Sequence, residues 1–199
     1  MQVKLIVDST ADLTDAVRSR VQVVPLTIHF GDEEYIDGVN IDSRGFYEKL
    51  IESDVLPTTS QATPYAFEGV FRQAVSEGCE VVCITCSAKL SGTYQSAVIA
   101  AEEFGDCVHV VDSRSIALGS AILTEYALGL VDAGLDAAAI AKLLTEKREQ
   151  VHVLAMLDTL EYLKKGGRIS AAVALAGGVL NLKPVVAIED GAIKLLGKA

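Results

Sequence analysis

Short apolar runs alternate with stretches of helical period along most of this chain. Residues 3–9 (VKLIVDS), 21–30 (VQVVPLTIHF), 80–86 (EVVCITC) and 107–113 (CVHVVDS) read as strands. They are rich in β-branched residues and end in polar or turn-forming ones. Pro25 marks the second of them as an edge or an irregularity, because proline cannot donate to a ladder. Between the runs lie helical patterns. DLTDAVRSR begins on a capping residue, and SRGFYEKLIES (43–53) places Phe46, Leu50 and Ile51 roughly on one face. Pro64 opens a further helix carrying Phe67, Val70, Phe71 and Ala74, which Gly78 closes. SGTYQSAVIAAEEF starts a helix near Ser91, ALGSAILTEYALGLVDAG forms another, and residues 135–150 are plainly amphipathic. GDEEYIDGVN reads as a turn-rich hairpin connection, and Thr58, Thr59, Ser60 and Gln61 as a polar loop.

Strands separated by helices predict an α/β fold: a mostly parallel sheet with helices on both faces, over residues 1–150. From residue 151 the register changes. A strand, a short helix and a glycine turn lead to an apolar helix-like stretch, AAVALAGGVL. A strand, a turn at Asp190-Gly191 and a second strand follow. Residues 151–199 are therefore expected to open a second, smaller α/β domain that is incomplete at its C-terminal end.

Charge and composition narrow the function. The chain of 199 residues carries a formal charge of −10, so nucleic acid is not an expected partner. Half of its residues are hydrophobic, enough for a real core, yet no apolar run reaches membrane-spanning length. The N-terminus lacks the features of a secretory signal, and a cytoplasmic location is the expectation. Lys164, Lys165, Arg168 and Lys183 cluster as either an anion or docking site or a solvated helix end. Cys83 and Cys86 form a CxxC pair in strand-like surroundings, with no second pair or histidines to complete a zinc site. All four cysteines read as buried apolar thiols.

The usual catalytic signatures are missing. There is no GxSxG elbow, no GxxxxGK[ST] and no GxGxxG, and the three histidines fall in apolar strand-like stretches. Asp8, Asp12 and Asp112 stand at strand ends, where carboxylates hold Mg²⁺ or cap the next helix. Polar loops recur after strands, at 8–10, 87–93 and 112–114, on the edge where open α/β sheets bind ligands. Two hydroxyl segments, TTSQ (58–61) and LSGT (90–93), precede helices. Hydroxyls beside unpaired helix N–H groups suit a carboxylate or a phosphate.

Taken in order, VDSTADL, PTTSQATP, LSGTYQSA, VVDS, LEYLKKGGRIS and LNLKPVVAIEDG resemble the DegV family over essentially the whole chain. The resemblance implies a fatty-acid-binding subunit of a bacterial fatty acid kinase system, with no catalysis of its own. One long-chain fatty acid, such as palmitate, would lie between two α/β domains. A partner kinase would phosphorylate its carboxylate to an acyl phosphate, with at most transient contact with a membrane. The carboxylate is expected on the hydroxyls of Thr59 and Ser91, with Ser60, Gln61, Gly92 and Thr93 assisting and Ser60 open as a substitute for Thr59. Arg168 is either an anion or partner contact or a turn arginine satisfying backbone carbonyls. Residues 180–184 would shape the pocket wall. No cofactor and no metal are implied. Chains of the family continue well past residue 199, so the distal pocket and the kinase-docking residues are not expected within this sequence. The alternative is a metal- or phosphate-dependent enzyme subunit acting on a small metabolite, with Asp8 and Asp112 as ligands or acid and base.

Overall fold

The structure is a computed structural model, and it describes residues 2–170 and 183–198. Its centre is a parallel sheet of order β2-β1-β6-β7, formed by β1 (Gln2–Asp8), β2 (Gln22–Val24), β6 (Cys79–Thr85) and β7 (Val108–Asp112). The two middle strands are buried almost throughout, which is why their sequences read as continuous apolar runs rather than as alternations. Alternate residues still go to different layers. Val3, Leu5, Val7, Val82 and Ile84 pack under α5 (Leu118–Asp132) and α6 (Ala137–Lys147), with Val17 of the short α1 (Asp15–Arg18) beside them. Ile6, Val81 and Cys83 pack under α3 (Pro64–Ser76) and α4 (Thr93–Ala101), against Phe67, Phe71 and Ala97. Helices thus cover both faces, as the pattern predicts.

Residues 21–30 are not one strand. The chain leaves the parallel sheet after Val24 and re-forms as β3 (Thr27–Phe30) in a separate antiparallel sheet of order β4-β3-β5. Pro25 has no N–H for the ladder, and the Leu26 N–H is taken by Ser9 Oγ at 3.0 Å. The partners of β3 are β4 (Glu33–Ile36) and β5 (Thr58–Ser60). Thr58, Thr59 and Ser60 therefore form an edge strand, where the sequence reading has a polar loop. Ile28, Phe30 and Ile41 bury the inner face of this small sheet beneath Phe46 and Leu50 of α2 (Ser43–Glu52).

Later in the chain come β8 (Val153–Met156), α7 (Glu161–Lys165), β9 (Pro184–Glu189) and β10 (Ala192–Lys198). The three strands form an antiparallel sheet of order β10-β9-β8 over Leu160, Ile169 and Val186. The apolar stretch 171–180 and residues 181–182, expected as a helix and a pocket wall, lie outside the described residues. Among the described residues no helix is long and apolar enough to cross a membrane.

Candidate functional site

In the parallel sheet the chain runs from β1 outward to β2, then returns to start β6 on the other side of β1. The carboxyl ends of β1 and β6 thus flank a topological switch point, the position where open α/β sheets receive ligands. Thr10 follows β1 there, and Cys86, Leu90 and Ser91 follow β6. All four line a cavity of about 530 Å³, within the range of roughly 300–1,000 Å³ usual for small-molecule sites. Leu26, Ile28 and Thr59 wall it from the small antiparallel sheet, and Phe46 and Tyr47 from α2. Ile116 adds to the wall, and Tyr162, Leu163, Arg168 and Ile193 close it from the C-terminal segment. Most of this lining is apolar.

Thr59 and Ser91 therefore meet at one cavity. Thr59 pairs directly with Ile28 across the ladder, so both side chains point the same way, into it. Ser60, one residue on, points to the other face and its Oγ lies 2.8 Å from His29 Nε2. Thr59 thus lines the cavity and Ser60 does not. Ser91 Oγ lies 2.9 Å from Thr93 Oγ1 and accepts the Thr93 N–H at 3.3 Å. The Thr93 side chain is buried, so its contact holds the Ser91 hydroxyl at the cavity wall. Gly92 is the N-cap of α4 and no side chain caps that helix. Gln61 does not line the cavity; its Nε2 donates to Ser96 Oγ at 2.8 Å. Behind the TTSQ segment α3 begins at Pro64, as the sequence pattern predicts, and Thr63 caps it.

Arg168 takes the place of a turn arginine on backbone carbonyls, at the edge of the cavity. It lines the cavity, but its Nε donates to the Leu90 carbonyl at 3.2 Å and Nη1 to that of Gly166 at 2.6 Å. It ties the glycine turn after α7 to the loop carrying Ser91. The neighbouring lysines are solvated: Lys165 pairs with Glu161 and Lys183 with Asp158 on the surface.

The strand-end carboxylates are engaged in holding loops. Asp8 is 2 % exposed. One of its oxygens accepts the Thr10 N–H and hydroxyl at 2.9 and 2.6 Å, the other the Cys86 N–H at 2.6 Å. Asp112 Oδ1 accepts the N–H groups of Arg114 and Ala88 at 2.8 and 3.2 Å. Among the described residues no group of three His, Cys, Asp or Glu side chains is placed to hold a metal ion. Cys83 and Cys86 are free and buried, as expected, while Cys107 is only half-buried. Burial, and then the Asp8 carboxylate, push both buried thiols well above their ordinary range. Cys86 is also a cavity wall residue, which the reading as an inert core thiol misses. Thr10, Ile28, Phe46 and Ile116 are likewise absent from the sequence-based site. The signal for Ile28 is its ladder partner Thr59, visible only once β3 and β5 are seen as strands.

The description of the DegV family of uncharacterised proteins matches residues 2–199. The chain belongs to the DegV family. A DegV domain-containing protein of Caldanaerobacter subterraneus is 36% identical over 200 residues, covering 99% of this chain and 71% of the relative. Among solved structures, a DegV family protein from Thermus thermophilus, described by its fatty acid binding, superposes with a TM-score of 0.90 at 38% identity. That match covers 100% of this chain and 72% of the other. The fatty acid kinase (Fak) B3 protein of Streptococcus pneumoniae, loaded with linoleic acid, superposes with a TM-score of 0.87 at 28% identity, covering 100% and 73%. This DegV chain therefore shares its mixed α/β architecture, parallel sheet and smaller antiparallel sheets included, with proteins that have been solved with fatty acids.

Proposed function

We propose that this DegV protein holds one long-chain fatty acid and presents its carboxylate to a partner fatty acid kinase, which converts it to an acyl phosphate. The observation that carries the reading is a largely apolar cavity into which Thr59 and Ser91 both project. The tail would lie among Leu26, Ile28, Phe46, Ile116, Leu163 and Ile193. Each buried CH₂ contributes about 0.8 kcal/mol, so a long saturated chain supplies most of the affinity. The carboxylate needs donors, because an ionised carboxylate taken from water without them is strongly disfavoured. The Ser91 and Thr59 hydroxyls supply them without a permanent positive charge. A head group held by neutral donors keeps its nucleophilic oxygen available for phosphoryl transfer. The chain's own part is to bind, orient and shield; catalysis belongs to the kinase. In this reading residues 1–150 are one domain, and the segment from 151 forms the opposite wall of the pocket. The protein would work in the cytoplasm, with at most transient contact with membranes.

The neighbouring structures with fatty acids support the ligand class, and the fatty acid kinase protein among them supports the partner. The test is solvent extraction of the purified protein followed by mass spectrometry, then addition of a fatty acid kinase and ATP. Stoichiometric fatty acid and kinase-dependent acyl phosphate are the expected results. Turnover of a small metabolite without any partner protein would instead establish the enzyme alternative.

A further inference from the structure

Gly92 has φ −74° and ψ 2°, a conformation open to residues with side chains. Backbone freedom does not explain a glycine there. Space does: a Cβ at this position would lie 1.9 Å from Gln61 Oε1 and 2.7 Å from Gln61 Cδ. Gln61 follows β5 directly, and its amide lies across the first turn of α4 to reach Ser96 Oγ. Ser96 is almost fully buried and its N–H donates to the Gly92 carbonyl, so the amide is anchored on a rigid part of the helix.

The link joins the small antiparallel sheet to the helix layer of the parallel one, beside the buried Leu26 and Ala62. Thr59 sits on an exposed edge strand of three residues, paired among the described residues with β3 alone in the small antiparallel sheet. Ser91 sits at the start of a helix packed on the parallel sheet. A short, exposed edge strand is a soft mount for a group that must be held to within about 0.5 Å of its productive position.

We propose that Gln61 is a positioning residue that straps β5 to the N-terminus of α4 and so fixes Thr59 relative to Ser91, with Gly92 a glycine to admit the strap. The proposal rests on the fatty-acid reading of the cavity. It makes Gln61 act through Thr59, not as a contact of the carboxylate itself.

Palmitate binding to the delipidated full chain tests it, measured with Gln61→Ala, Gly92→Ala, Thr59→Ala and the pairs, alongside thermal melting and the Thr59 methyl NMR signal. Gln61→Ala is expected to weaken binding about tenfold, to lower melting by no more than the loss of one buried hydrogen bond and to broaden the Thr59 signal, as for loss of a positioning contact. Gly92→Ala is expected to weaken binding at least as much, because the new Cβ displaces the amide. The Gln61→Ala/Gly92→Ala pair should bind no worse than Gln61→Ala alone, since the clash is gone. Gln61→Ala/Thr59→Ala should match Thr59→Ala within about twofold, the non-additivity of residues that act as one unit. Wild-type affinity in Gln61→Ala, or a loss that adds in full to that of Thr59→Ala, overturns the strap and leaves the fatty-acid reading standing. No palmitate binding by the wild type, or none of it lost in Thr59→Ala, overturns the carboxylate reading and the strap together.

Discussion

Ser87 Oγ donates a 2.7 Å hydrogen bond to the carbonyl of Gly191, 104 residues further along the chain. The donor follows β6 and the acceptor is the tip of the β9–β10 hairpin, so the bond fastens the C-terminal sheet to the carboxyl edge of the parallel one. Asp190 and Gly191 both have positive φ, 50° and 78°, which suits a tight two-residue hairpin turn. Ser87 is fully buried. Ser87→Ala would leave the Gly191 carbonyl buried and unpaired, at a cost of about 1–3 kcal/mol. Gly191→Ala should cost more, because its Cβ would fall 2.5 Å from Ser87 Oγ in a conformation that disfavours side chains. Urea unfolding checks both. Limited proteolysis should cut first within the loosened C-terminal hairpin.

Asp8 anchors the loops that follow β1 and β6. Its two oxygens accept three hydrogen bonds from Thr10 and Cys86, both cavity wall residues. Asp8→Asn keeps the shape but turns one acceptor into a donor facing an N–H or a hydroxyl. The loss should be about 1–3 kcal/mol of stability, with weaker fatty acid binding as a consequence. Mg²⁺ added to the wild type should change neither the melting temperature nor the affinity. A Mg²⁺-dependent rise in melting that Asp8→Asn abolishes would restore the metal alternative.

The parallel sheet is legible in the sequence because its two middle strands are buried on both faces and helical periods separate the strands. Phe67, Phe71 and Ala74 at helical spacing announce the face of α3 that packs on it. The small sheet was hidden because its strands are short. Residues 58–60 are all exposed and polar, so nothing in their periodicity separates an edge strand from a loop. Pro25 was visible as an irregularity, but that the chain changes sheets there depends on where Ser9 offers its oxygen. Within the site, Thr59 and Ser91 were reachable through motif resemblance. Ser60 and Gln61 belonged to the same motif, and only the strand's alternation and the position of Ser96 assign them different places.

The aromatic contact of α3 sets the stability of the face beneath α4. Phe71 is fully buried, 5.7 Å from the Phe67 ring and 6.0 Å, edge-on, from that of Phe104. Phe71→Ala opens a cavity in a site with rigid neighbours and should cost about 3–5 kcal/mol. Phe71→Leu, which keeps much of the volume, should cost well under half of that. Chemical denaturation of the two variants separates cavity formation from loss of the ring contacts.

The buried thiols predict a weakness in alkali. The ordinary thiol value is 9.0, and burial lifts Cys83 well above it in the folded protein. Above pH 9 the unfolded chain releases this proton while the folded one keeps it. The folded state then binds more protons, so stability falls as pH rises, by up to about 1.4 kcal/mol per pH unit for each such thiol. Below pH 9 the contribution is fully present. Cys83→Ala removes one titrating group, so the stability gap between wild type and variant should narrow between pH 9 and 10.5. Parallel urea midpoints across that range would refute this assignment.

Alternation along β5 sets the sharpest test of the head-group site. Thr59 and Ile28 face the cavity together, whereas Ser60 is turned to His29. Thr59→Ala and Ser91→Ala should each weaken fatty acid binding by roughly 10- to 100-fold, the worth of one hydrogen bond to a charged group. Ser60→Ala should change it by less than about twofold, since an exposed hydroxyl on the far face touches nothing in the cavity. Thr93→Ala should fall between them: its hydroxyl orients that of Ser91 without reaching the ligand. Calorimetric titration of delipidated variants with one saturated fatty acid reads all four. A loss in Ser60→Ala with little or none in Thr59→Ala would mean that β5 pairs in another register, with its opposite face inward. That would move the carboxylate off Thr59, since a one-residue slip exchanges every side chain between the two faces.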